Sequence, residues 1–114
     1  MTFLRLVEPD GDEVDYYSLV LENGTPVDDV VQQLGHEPNG PFWDGVAQWL
    51  VQTEAPSLEG RFEYNSEAGM FCAEGTDKKA LEELAARMAP YVNDAKRLRA
   101  LVAAAEAADF PFDD

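Results

Sequence analysis

The chain has 114 residues, of which 46% are hydrophobic and 11% aromatic, enough apolar side chain for one core and typical of a globular protein rather than a disordered one. Its formal charge of −15 weighs against nucleic acid and anionic membrane as direct ligands, because both require Lys and Arg to neutralise phosphate. No apolar run approaches the ~18 residues that span a bilayer. The start Met-Thr-Phe-Leu-Arg lacks the pattern of a secretion signal, and Cys72 stands alone, so a cytoplasmic protein is expected.

Phe3 to Val7 reads as a strand with one exposed face, and Tyr16 to Leu21 as a second strand closed by the turn signal Asn23-Gly24. The turn-rich segment Pro9 to Asp15 between them makes a hairpin whose tip carries Asp10, Asp12, Glu13 and Asp15. Thr25-Pro26 is an N-cap followed by Pro in the first helical position; Asp28 and Asp29 suit the helix dipole there. Val27, Val30, Val31 and Leu34 have helical spacing, with Gly35 as the stop. A second helix presents Phe42, Val46, Trp49, Leu50 and Thr53 on one face and stops before Pro56.

Arg61 to Tyr64 and Met70 to Ala73 form a second hairpin around residues 65–69. Thr76 is expected to cap a third helix with Leu81, Leu84, Ala85 and Met88 buried, kinked or ended by Pro90. Asp94 caps a fourth, whose Leu98, Leu101, Val102 and Ala105 repeat the period. The tail Phe110-Pro111-Phe112 is expected to fold back on the core, leaving Asp113 and Asp114 exposed. The order ββααββαα predicts an α+β domain over 1–114, an antiparallel sheet of two hairpins with four helices packed on it. The halves match in element order but not in residues, so duplication is only weakly suggested.

The acidity is regional. Up to Gly60 there are twelve acids and one base, Arg5, a net of −11; from Arg61 onward eleven acids face seven bases, a net of −4. Such a field opposes folding through self-repulsion but speeds association with a cationic partner and keeps the chain soluble.

Catalytic constellations are scarce. His36 and Cys72 form the one conceivable imidazole–thiol pair, and Met70-Phe71-Cys72-Ala73 reads as an apolar strand where a free Cys acts as a small hydrophobe. Carboxylate pairs are too frequent to single out a general acid and base. An EF-hand loop begun at Asp10 places Asp12 third but Val14 fifth, Asp15 where Gly is needed, and Leu21 where a bidentate Glu belongs, so the motif fails. A looser cation site at the hairpin tip remains open. There is no Cys/His set for zinc and no Gly-rich phosphate loop, and no cofactor is expected. Trp43 and Trp49 lie about 240° apart on a helix and cannot face one core, which suggests Trp49 inside and Trp43 at a groove edge as a binding anchor. The competing reading of Trp43 is a core residue.

Three segments carry a family resemblance. They are Gly40-Pro41-Phe42-Trp43 opening a helix, the stretch Phe62-Glu63-Tyr64-Asn65-Ser66-Glu67-Ala68-Gly69-Met70-Phe71, and the ending Phe110-Pro111-Phe112-Asp113-Asp114. Together they resemble the immunity protein 51 family, small bacterial proteins associated with polymorphic toxin systems, from about Gly35 onward. The resemblance implies a non-enzymatic antidote that binds a cognate protein toxin, often a nuclease. Gly69 also suits a positive-φ turn, and Phe62 and Phe71 a core. Toxin contacts are then expected in the acidic part: Asp10, Asp12, Glu13 and Asp15, then Glu22, Asp28, Asp29 and Asp44, with Trp43. The alternative function is a small acidic regulator or nucleic-acid-mimic adaptor for another basic protein, and for any one carboxylate simple solubility is the competing explanation.

Overall fold

The computed structural model describes residues 4–8, 16–22 and 24–112. Strands β1 (Leu4–Val7), β2 (Tyr17–Glu22), β3 (Glu63–Tyr64) and β4 (Met70–Gly75) form an antiparallel sheet in the order β1-β2-β4-β3. Helices α1 (Asp28–Gln33) and α2 (Gly40–Glu54) follow the first hairpin, and α3 (Lys78–Val92) and α4 (Ala95–Ala107) follow the second. The expected α+β fold and element order are thus present.

Alternation along the strands separates two faces. Leu4, Leu19, Leu21, Phe71 and Ala73 point into the core with the helices' buried residues. The opposite face carries Arg5, Val7, Ser18, Glu22, Glu63 and Glu74, all exposed or half-buried, around Val20 and Cys72. Val20 and Cys72 are themselves only 6% and 5% exposed, and lie outside the main core cluster.

Helix α2 is the hub. Phe42, Val46 and Leu50 are buried as expected, and the buried face is wide enough to take in Trp43, Ala47 and Val51 as well. Trp43 is therefore 1% exposed, while Trp49 lies on the flank, half-buried, with its ring 5.4 Å from Phe110. The angular argument for separating the two indoles holds, but their places are exchanged. Asn39 caps this helix, its side chain accepting from Phe42 N–H at 2.9 Å, and Pro41 occupies the first turn.

The N-terminus of α2 rests on the β3–β4 turn. Gly40 N–H donates to the Ala68 carbonyl at 3.4 Å, and a Cβ on Gly40 would lie 2.0 Å from the Glu67 carbonyl oxygen and 2.6 Å from that of Met70. Only glycine permits that approach. Gly69, by contrast, has no positive φ, so the turn does not use it as expected.

Other local differences have simple causes. Asp77, not Thr76, caps α3 by accepting from Ala80 N–H at 3.1 Å. Pro90 stays inside α3, where its missing N–H removes one bond from the last turn. The regular part of α1 starts at Asp28, but the turn ahead of it is reciprocally capped. There the Thr25 hydroxyl accepts from Val27 N–H at 3.3 Å, and the Asp28 carboxylate accepts from the Thr25 N–H and hydroxyl at 3.2 and 2.7 Å. Asp94 caps α4 as expected, accepting from Lys96 and Arg97 N–H. The tail folds back: Phe112 stacks on Phe42 at 5.4 Å and occupies the space a Cβ on Gly45 would need.

Candidate functional site

The basic residues are largely engaged at home. Arg5 pairs with Glu22 at 3.1 Å, Lys78 with Glu8 at 2.5 Å, Arg87 with Glu54 and Glu83 at 3.4 Å, and Arg97 with Asp94 at 3.6 Å. The Arg61 guanidinium holds Asp77, with Nε at 2.8 Å. Exposed pairs of this kind add little stability, but they locate where negative charge is balanced.

The expected contact residues separate against that map. Asp10, Asp12, Glu13 and Asp15 lie outside the described residues, as do Asp113 and Asp114. Glu22 is exposed at the end of β2 and paired with Arg5. Asp28 is half-buried and occupied in capping, also accepting from Gly24 N–H at 2.9 Å, so its carboxylate serves the fold. Asp29 is exposed on α1. Asp44, half-buried on α2, accepts from the Ser66 hydroxyl at 2.5 Å and thereby ties α2 to the second hairpin. Trp43 cannot serve as an exposed anchor, because its ring is enclosed by the core.

Charge accumulates instead at the β3–β4 corner of the sheet. Glu63 and Glu74 are directly opposite one another across the two strands, a like-charge pairing that costs stability. Glu74 also accepts from the Asn65 amide at 3.2 Å. Tyr16, 41% exposed, stands over this pair: its phenol is pushed above the ordinary range by desolvation and then by Glu74 and Glu63. Tyr64 on β3 is pushed up mainly by burial, with Asp44 and Glu59 adding to it. Burial, then Glu74, likewise raises the Cys72 thiol. Burial is the first cause at all three groups; Glu74 adds to it at Tyr16 and Cys72, and Asp44 and Glu59 add to it at Tyr64.

Beside the pair is a cleft of about 290 Å³ lined by Tyr16, Arg61, Phe62, Glu63, Glu74 and the backbone-rich stretch Gly75-Thr76. Its one cation, Arg61, is the one bound to Asp77. Glu63 and Glu74 escaped the sequence reading, which followed acid density and so favoured the first sixty residues. The cause is register: Glu67 bridges Met70, so the ladder closes on Ala68-Gly69 and sets Glu63 against Glu74, whereas joining the expected strands straight across 65–69 would set Glu63 against Phe71.

The arrangement does not resemble a nucleophilic centre. His36 Nε2 is 3.1 Å from Glu106 and its ring packs on Phe112 at 4.9 Å and Phe42 at 5.5 Å. The Cys72 sulfur faces Glu74 at 3.8 Å, and its raised pKa is opposite to what thiolate chemistry needs. Among the described residues there is no group of three or more His, Cys, Asp or Glu arranged to hold a metal, and no helix long and apolar enough to cross a membrane.

The sequence model of the immunity protein 51 family matches residues 4–107. The match takes in the first hairpin and α1, upstream of where the resemblance was expected to begin, and ends before the Phe110-Pro111-Phe112 tail. No curated protein and no solved structure gives a significant match to the chain.

Proposed function

The chain belongs to the immunity protein 51 family, and from that membership we propose that it neutralises a cognate bacterial toxin by binding it through an anionic surface. The family match carries this reading. The physical support is the uneven balance of charge: most bases are consumed by local pairs, while Glu63 and Glu74 face each other at one corner. Such a field draws in a basic protein quickly, which suits an inhibitor that must capture a toxin before it acts.

The partner we infer is a basic effector, of which a nuclease is the natural case. A nuclease presents a cationic groove for phosphate, and a carboxylate surface competes for that groove. Inhibition on this reading is by occupancy rather than by catalysis. The test is co-expression with candidate toxin domains sought in the adjacent genes, followed by stopped-flow association at rising salt. A protective complex whose association rate falls steeply with ionic strength is expected. Absence of both protection and complex rejects the proposal.

A further inference from the structure

We propose that the cleft at the β3–β4 corner receives an arginine side chain of the partner protein, held between the Glu63 and Glu74 carboxylates and against the ring of Tyr16. This names the contact within the toxin-binding reading and rests on it. The helices cover the opposite face of the sheet, and the cleft lies at the free face's end, where β3 is two residues long.

Charge complementarity selects the occupant. Glu63 and Glu74 are cross-strand neighbours, which brings their Cβ atoms to within about 5 Å and leaves like charges facing each other. The base that lines the cleft, Arg61, already has Asp77. Glu74 already accepts from the Asn65 amide, and a cation placed between the two carboxylates would offset their like charge. Tyr16 adds an exposed aromatic ring at the same mouth, and the cleft has room for a side chain rather than a lone ion. A planar guanidinium can use both features at once, donating in-plane to carboxylates while stacking on the ring; a lysine ammonium is a point charge that cannot.

The test uses the full chain and two probes. In the first arm, N-acetylated tri-arginine amide and tri-lysine amide are titrated into the protein, with backbone amide shifts followed by NMR. Saturable shifts centred on Tyr16, Glu63, Glu74 and Gly75, several-fold tighter for the arginine peptide, are expected. Glu63→Gln/Glu74→Gln together should abolish them, whereas Glu82→Gln on α3 should not. Shifts spread evenly over the acidic surface, or equal affinity for the two peptides, overturn the proposal.

In the second arm the probe is the toxin domain that co-expression pairs with this chain. The double Gln variant should weaken the complex about tenfold or more, chiefly through faster dissociation. Because the substitutions remove a repulsion, the variant should melt no lower than the parent, so lost binding cannot be ascribed to unfolding. A toxin complex that forms normally and ignores both the double variant and Tyr16→Ala defeats the cleft assignment while leaving the immunity reading intact. A toxin that never binds defeats the immunity reading, and the peptide arm still decides the cleft.

Discussion

The two faces of the sheet obey different rules. On the inner face Leu19, Leu21 and Phe71 are fully buried against helices, and α2 meets the β3–β4 turn so closely that Gly40 admits no Cβ. On the outer face two glutamates oppose each other and a tyrosine stands 41% exposed. The inner face is built for stability. The outer face sets two like charges opposite each other, with the Asn65 amide donating to Glu74, and such an opposition suits a surface that receives a cationic partner.

The comparison breaks most sharply at Trp43. If this ring belongs to the stable side, Trp43→Ala should lower unfolding free energy by about 3–5 kcal/mol in urea titration, with a folded fraction that still binds the toxin normally. A mild stability loss with abolished binding would return Trp43 to the interface. Next comes the seam: Gly40→Ala forces a methyl onto two carbonyl oxygens and should cost about 1–3 kcal/mol by the same measurement. Asn39→Ala removes the α2 cap and should cost about 1 kcal/mol.

Alkaline pH probes Tyr64, which lies between the two regimes. Burial, then Asp44 and Glu59, raises its folded-state pKa, so the neutral phenol favours the folded state. That contribution is intact below the unfolded value near pH ~10 and is lost as pH climbs from there toward the folded one. The urea midpoint should therefore fall above about pH 10. Tyr64→Phe should flatten that fall, and an unchanged slope would contradict the assignment. The smallest effect belongs to the outer face, where Glu63→Gln/Glu74→Gln should raise stability by on the order of 0.5 kcal/mol, the opposite sign to every inner substitution.

Local rules carried far along this chain. Hydrophobic periodicity located the helices and strands, and Asp94 capped where expected, because each depends on neighbours within a turn. The failures came where two signals competed or a distant contact decided. Thr76 and Asp77 are adjacent caps, and the carboxylate took the role. Phe42 and Trp43 both begin plausible apolar stripes, and tertiary packing buried both, leaving Trp49 on the flank. Acid density pointed to the first sixty residues, yet Asp28 proved to be a cap and Asp44 a link to Ser66. The Glu63–Glu74 opposition depends on strand register, which composition does not contain.

The strand order has a consequence for synthesis. The central strands β2 and β4 come from opposite halves of the chain, with Tyr17 beside Gly75 and Glu22 beside Met70. Closing that long loop is costly and slow, so the sheet is completed only when most of the polypeptide has left the ribosome. Until then Leu19 and Leu21 belong to a ribbon with an open, apolar edge, the kind of surface on which nascent chains stick together. The −11 carried by the first sixty residues supplies mutual repulsion between such half-made chains, whatever it later does for a partner.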